Sequence, residues 1–254
     1  AKHSLWEKDR SLVATDRQAL LTWLDQGKPE GNIAEAPLPR SYHKDWMIGK
    51  PDVVFQIPQP IAVKAEGTMP YQNVSVETQL TEDRWVQAWE VQPTAREVVH
   101  HVLIFVKPPD GKRKGGGDAY LAAFVPGNNF VNYPADYGKF LPAGSRLRFQ
   151  IHYTPNGTAT TDQVRVGLIF TKARPRREVE VIPVAQPKLR IPPGAENHPE
   201  QGSVPVPVPV ELLGYMPHMH LRGAQFAYTA EYPDGRHETL LSVPRYDFNW
   251  QTLY

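Results

Sequence analysis

Five of the nine histidines fall in short runs whose composition and spacing suit metal ligation. His218 and His220 stand one residue apart in LLGYMPHMHLRG, residues 212–223. On a strand, alternate side chains share a face, so the two imidazoles would project together roughly 6–7 Å apart, a chelating separation. Met216 would share that face and could add a thioether, unless Pro217 spoils the alternation; Met219 would point the other way and pack. His100 and His101 are adjacent in EVVHHVLIFV. A regular strand sends neighbours to opposite faces, so joint ligation by this pair requires a bulge or a local twist. Both faces of the run are otherwise apolar: Val99, Leu103 and Phe105 on one, Val98, Val102, Ile104 and Val106 on the other. Burying two imidazoles there is costly unless each finds a partner. His152 lies in SRLRFQIHYT, where Leu147, Phe149, Ile151 and Tyr153 form an apolar face. His152 therefore faces water or a cleft with Arg146, Arg148 and Gln150. Gln150 and Tyr153 stand beside it and could orient the ring by hydrogen bonding, as metal-bound imidazoles need.

Two kinds of chemistry fit these residues, and a structural alternative stands beside them. Imidazole and imidazole-plus-thioether sets suit copper, with Met and two His pointing to Cu(I). Three histidines also hold zinc and would then support hydrolysis. The structural alternative is an HxH on a solvated face and an HH bonded to backbone carbonyls. Spacing leaves all of these open.

Composition narrows the field. The 254 residues suffice for one large or two medium domains. Lys plus Arg number 28 against 27 Asp plus Glu, a balance that offers nothing to nucleic acid or to an anionic membrane. No apolar run approaches the roughly 20 residues of a membrane span. No signal peptide opens the chain, so an exported form is expected to be mature or trimmed. Cysteine is absent, which excludes disulfides, thiolate ligands, CxxCH haem attachment and cysteine nucleophiles. The 26 prolines and 18 glycines favour short strands and turns over long helices.

The elements that must carry the histidines are mostly strands. A helix is predicted only near the N-terminus, where Thr15 can cap DRQALLTWLDQG, with Gln18 as its capping-box partner and Gly27 as the stop. Leu20, Leu21, Trp23 and Leu24 give it an apolar stripe that must bury against something. Residues 28–50 read as irregular. From Pro51 onward NVSVETQL, RWVQAWEVQ, EVVHHVLIFV, SRLRFQIHYT, QVRVGLIFTK and AQFAYTAEY read as strands between turns. YPDGRHETLLSV reads as a hairpin around Asp-Gly. No helices alternate with the strands, so antiparallel sandwiches are expected rather than a parallel sheet. KARPRREVEVIPVAQPKLRIPPG reads as a passage between two sandwiches. Prolines 205, 207 and 209 make SVPVPVPVELL an edge or an extended connector. DGKRKGGGD, residues 110–118, reads as a solvated mobile loop, because it lacks the ending and context of a phosphate-binding loop.

Taken in order, VVHHVLIFV, LRFQIHYTPNG, YMPHMHLRG and YPDGRHETLLSVPRYDFNWQ resemble the copper type II, ascorbate-dependent monooxygenases. That family includes the peptidylglycine α-hydroxylating and dopamine β-monooxygenases, and the likeness is strongest to its bacterial members. It runs from about Trp46 to Tyr254. The resemblance implies an all-β protein of two antiparallel, jelly-roll-like β-sandwich domains, each holding one of two copper ions across an open, solvated cleft. The expected division is residues 1–50 as helix and linker, 51–175 as the first copper domain, and 176–254 as an incomplete second. By the family pattern His100, His101 and His152 would ligate the electron-storing copper. His218 and His220 would ligate the copper where O2 binds and substrate is hydroxylated, and so would be the catalytic pair. The implied reaction inserts one oxygen atom into an activated C–H bond of a small organic substrate, the other atom leaving as water. An extracytoplasmic location, periplasmic or secreted, follows from the same likeness.

Two departures bear on those expectations. The family's second copper takes a third ligand from a methionine well downstream of the HxH, and no methionine follows Met219 here. The second domain is therefore expected to be truncated or continued elsewhere, with Met216 as a possible substitute. Peptide-amidating members also place an arginine two residues before the HxH to hold a substrate carboxylate. Met216 occupies that position, so a different, more apolar substrate is expected; Arg222 nearby reads as structural or surface. The stretch VATDRQALLTWLDQGKPEGN resembles the closing helix of a c-type cytochrome, which suggests either a cytochrome haem domain in place of ascorbate as reductant or a helix docked on a sheet edge.

Two rival functions remain: a non-catalytic copper-binding or electron-transfer β-sandwich, and a zinc or cupin-like metalloenzyme. His198 could support or replace a ligand, and His3, His43 and His237 are expected to lie on the surface or in turns. Tyr71, Trp85, Trp89 and Trp250 are expected in the core.

Overall fold

The computed structural model describes residues 12–38, 45–109, 119–186 and 188–254. The segment 110–118, and with it the loop reading of DGKRKGGGD, lies outside the described residues, as do His3 and His43. Strands follow one helix, as the composition requires. The helix is α1 (Ala14–Asp25). The strands are β1 (Val53–Gln56), β2 (Ile61–Val63), β3 (Gln72–Glu77), β4 (Arg84–Gln92), β5 (Val99–Lys107), β6 (Ala119–Phe124) and β7 (Phe130–Asn132). They continue with β8 (Tyr137–Leu141), β9 (Arg146–Tyr153), β10 (Thr160–Asp162), β11 (Arg165–Phe170), β12 (Arg177–Glu178), β13 (Phe226–Glu231) and β14 (His237–Val243).

The chain is all-β apart from α1. The larger main sheet runs β1-β11-β4-β8-β12, with β7 also on β4, and the second runs β3-β9-β5-β6; β2 pairs with β10 and β13 with β14 in two-stranded sheets. Every pairing is antiparallel except β12 on β8. A single apolar cluster joins the two sheets, with Phe55, Trp89, Val91, Val166 and Leu168 from one and Val102, Ile104, Leu121, Phe149 and Ile151 from the other. Strict alternation puts them there: β9 buries Leu147, Phe149, Ile151 and Tyr153 and leaves the residues between less covered. Face-to-face sheets about 10 Å apart need just such inward sets.

After Phe170 the chain is sparse. It contributes the two-residue β12, the hairpin β13-β14 around the Asp234-Gly235 turn, and extended segments. The alternating prolines lie in an exposed connector, and Val204, Val206, Val208 and Val210 stand exposed along it. Part of the Arg-rich passage forms β12 beside β8.

Helix α1 departs from its sequence reading at both face and cap. Val13 is the N-cap and contributes no side-chain bond, because the helix starts one residue before Thr15. The C-terminal stop is as expected. Gly27 takes φ +79°, with Lys28 N–H donating to Trp23 O and Gly27 N–H to Leu24 O. Leu20, Leu21, Trp23 and Leu24 are all over 40 % exposed, and no residue of the helix is buried. Its stripe covers nothing among the described residues. Among the described residues, no helix is long and apolar enough to cross a membrane.

Candidate metal centre

β5 and β9 are the inner strands of the four-stranded sheet, and their ladder carries the irregularity that HH requires. Val99 pairs with Tyr153, yet His101 pairs with His152, so His100 is an extra residue bulged out of register. The consequence follows from parity. Val102, Ile104, Phe149 and Ile151 face the core, which puts His101 and His152 on the sheet's outer face. The bulge brings His100 round to join them. The ring centroids lie 5.1–5.2 Å apart in all three pairs.

These three side chains form a group whose ligand nitrogens all lie within 4.8 Å of one another. Two nitrogens on one ion at 2.0–2.1 Å can be at most about 4.2 Å apart, so the group needs only small ring rotations to close on an ion. His100 and His101 are buried, at 8 % and 2 % exposure. Their Nδ1 atoms sit 3.0 Å apart, a contact in which at most one can donate. His100 Nε2 and His152 Nδ1 are buried with no hydrogen-bond partner. Native interiors leave few such groups unsatisfied. The Phe248 backbone lies close enough to His100 to oppose the lowering of its pKa, so the backbone-carbonyl alternative has a foothold at His100, although Nε2 itself makes no hydrogen bond.

Aromatic rings wall the group. Phe248 stacks on His100 at 4.2 Å, and Tyr71 stacks on His152 at 4.7 Å. Tyr71 arrives there because Gln72 pairs with Ile151, which places the preceding residue beside His152. Burial lowers the pKa of all three histidines. For His101 it reaches about 3, through desolvation first and then the charges of His100, His152, His218 and His220. At neutral pH the rings are uncharged and offer lone pairs.

The HxH approaches from the other part of the chain. Residues 211–220 form no ladder strand; the segment is extended and tied by side chains and by the C-terminal tail. Tyr215 and Tyr254 exchange both backbone hydrogen bonds. Tyr246 hydroxyl donates to Met219 O at 2.6 Å and accepts from Met219 N–H at 2.9 Å. Gly223 packs so closely on Met219 that an added Cβ would lie 2.6 Å from the Met219 Cβ. Met219 is thus a packing residue, held by these contacts and not by strand parity. The His218 and His220 rings still come within 5.2 Å of each other, and His218 lies 6.0 Å from His101. The five imidazoles form one contiguous cluster instead of two separated pockets.

Gln251 fixes the state of His218. Its Nε2 donates to Phe248 O at 3.0 Å, which turns Oε1 toward His218 Nδ1 at 2.6 Å. His218 must then carry its proton on Nδ1, leaving Nε2 as the lone-pair nitrogen. His218 is exposed overall, with this Nδ1 edge turned to the buried Gln251. Desolvation of that edge lowers its pKa, while the Gln251 hydrogen bond opposes the shift.

The other residues singled out make contacts of their own. Met216 is turned toward Tyr120, whose hydroxyl donates to the sulfur at 3.8 Å. Tyr153 points into the core and donates to Asp162, so it cannot orient His152 directly. His198 bonds Glu200 in a loop, and His237 is an exposed residue of β14. Trp89 is in the core, but Trp250 is 59 % exposed and Tyr71 42 %. Sequence reasoning gave no role to Tyr246, Phe248 or Gln251. The clustering of aromatics with a glutamine in PRYDFNWQ, just beyond the hairpin, was the available signal.

Neither the family models nor the curated proteins contain a match to this chain. Function must be argued from these side chains.

Proposed function

We propose that the chain is a copper-dependent monooxygenase, or the copper-bearing part of one, acting on a small organic substrate outside the cytoplasm. The observation that carries this reading is the pair of buried, unpartnered nitrogens, His100 Nε2 and His152 Nδ1, in a three-histidine group. A neutral, all-imidazole donor set without carboxylate or thiolate suits copper. The sequence resemblance to the copper type II monooxygenases points the same way.

Within this one cluster His100, His101 and His152 would hold one ion, and His218 with His220 a second close beside it. Bound copper supplies one-electron redox chemistry: a reductant, ascorbate or a cytochrome haem, delivers two electrons, and O2 gives one atom to a C–H bond and the other to water. The protein's own residues do the rest. The bulge gathers three rings, Gln251 presents His218 Nε2, and Phe248 and Tyr71 limit water around the buried pair. The exposed edge of His218 leaves that side open to substrate and reductant.

One observation favours a second reading, a copper-binding or electron-transfer protein without turnover. The Met216 sulfur, the thioether expected to complete the His218–His220 pair, accepts a hydrogen bond from the Tyr120 hydroxyl. Oxygen uptake separates the two. Monooxygenase function predicts two coppers bound per chain and O2 consumption that requires both reductant and an oxidisable substrate. Two coppers with no substrate-dependent uptake would leave the electron-transfer reading, and zinc retention with no Cu(II) signal would replace both with a zinc enzyme.

A further inference from the structure

Asp162 ends β10 and is fully buried, at 0 % exposure. Its carboxylate accepts three hydrogen bonds: Oδ1 from Thr94 Oγ1 at 3.1 Å and from Ala95 N–H at 2.8 Å, and Oδ2 from Tyr153 hydroxyl at 2.8 Å. All three donors are neutral, so the carboxylate's desolvation is offset by hydrogen bonds alone.

The places those donors occupy matter more than their number. Ala95 opens the 3-10 turn Arg96–Val98, which delivers the chain into β5 directly before His100. Tyr153 immediately follows His152 and pairs with Val99, the last regular pair before the bulge. Thr154 N–H then donates to Val98 O at 2.8 Å. One carboxylate therefore grips both strands on the near side of the bulge, one step from every ring of the three-histidine group.

We infer that Asp162 is a positioning residue of the metal centre: it holds the β5 and β9 backbones in the register that makes His100, His101 and His152 converge. This inference rests on the metal reading of those histidines. Releasing the grip would let Val99 and Tyr153 slide against each other, and a small error in ring placement is enough to weaken ligation. Supporting groups around metal ligands are typically worth about 10- to 100-fold in affinity.

The test uses the full chain and Cu(II) alone as probe, with titration, electron paramagnetic resonance and thermal unfolding on each variant. Tyr153→Phe removes one donor and leaves the carboxylate with two; Asp162→Asn keeps the volume and loses an acceptor. Thr78→Val is the control. It deletes a buried hydrogen bond to Ser145 O (2.7 Å) just beyond the far end of β3. Both site variants should bind Cu(II) about 10- to 100-fold more weakly at the three-histidine centre and shift its g and copper hyperfine values. The control should lose stability without either change. Unchanged affinity and spectrum in Tyr153→Phe and Asp162→Asn, whatever their melting temperatures, would overturn the inference; if Asp162→Asn does not fold, Tyr153→Phe decides. A wild-type chain with no imidazole-coupled Cu(II) signal would overturn the metal reading itself, a different result from a normal wild-type site with indifferent variants.

Discussion

His101 and His152 are direct cross-strand partners on β5 and β9, with ring centroids 5.1 Å apart at 68°. They share the outer face of the sheet because each is flanked by core residues, Val102 for one and Ile151 for the other. The pair alone would be an ordinary sheet contact. The bulge beside it adds His100 and converts a pair into a three-nitrogen group.

The bulge is therefore expected to serve ligation and not folding. Deleting His100 restores one-to-one pairing from Val99–Tyr153 to His101–His152 without turning any core residue outward. The deletion should leave the urea midpoint unchanged or higher while weakening metal binding by at least about 100-fold, beyond the cost of losing a mere supporting group. Collapse of the fold on deletion would show that the bulge is needed for folding.

Burial holds His101 neutral, and the sign of its pH effect follows. Its folded pKa is about 3, against roughly 6.5 unfolded. Between those values the unfolded chain binds the extra proton, so apo stability is full above about pH 6.5 and falls as pH drops toward about 3. Replacing His101 with Asn should flatten the pH dependence of the unfolding free energy in that window by up to about 1.4 kcal/mol per pH unit. Parallel curves for wild type and variant would mean that His101 protonates freely in the folded state.

Gln251 orients His218 through a 2.6 Å hydrogen bond and is itself held by Phe248 O. Gln251→Leu should weaken copper at the His218–His220 pair by about 10- to 100-fold and leave the three-histidine centre intact. Competitive copper titrations that resolve the two sites would check this. Equal loss at both would indicate a single shared site.

The core and the helix should respond very differently to truncation. Ile151 is fully buried between the sheets, whereas Leu24 on α1 is 42 % exposed. Ile151→Ala should cost about 2–5 kcal/mol in chemical denaturation; Leu24→Ala should stay within about 0.5 kcal/mol. A large effect at Leu24 would mean that the α1 stripe is covered in solution.

Much of this was legible in the sequence where local rules decide. Alternation in SRLRFQIHYT sorted core from outer face correctly, and joint ligation by the adjacent His100 and His101 called for a bulge such as β5 shows. The Asp-Gly hairpin and the Gly27 stop also follow from short-range backbone chemistry. The rest depends on long-range contacts. Met216 was placed by strand parity, but residues 211–220 join no ladder, so parity does not govern them and the thioether turns to Tyr120. Tyr153 was assigned to its neighbour His152, although alternation sends it to the opposite face and Asp162. Phe248 and Gln251 reach the histidines only through the path of the tail, which no local pattern encodes.

The central claim is that the outer face of β5 and β9 traps a copper ion with the histidines at 100, 101 and 152. Electron paramagnetic resonance of the chain with one equivalent of Cu(II), beside His152→Ala, addresses it most directly. Copper held by these three rings gives a type 2 signal with nitrogen coupling from several imidazoles in the wild type, lost or reduced to fewer nitrogens in the variant. An uncoupled aquo-copper spectrum, or one that His152→Ala leaves untouched, would contradict it.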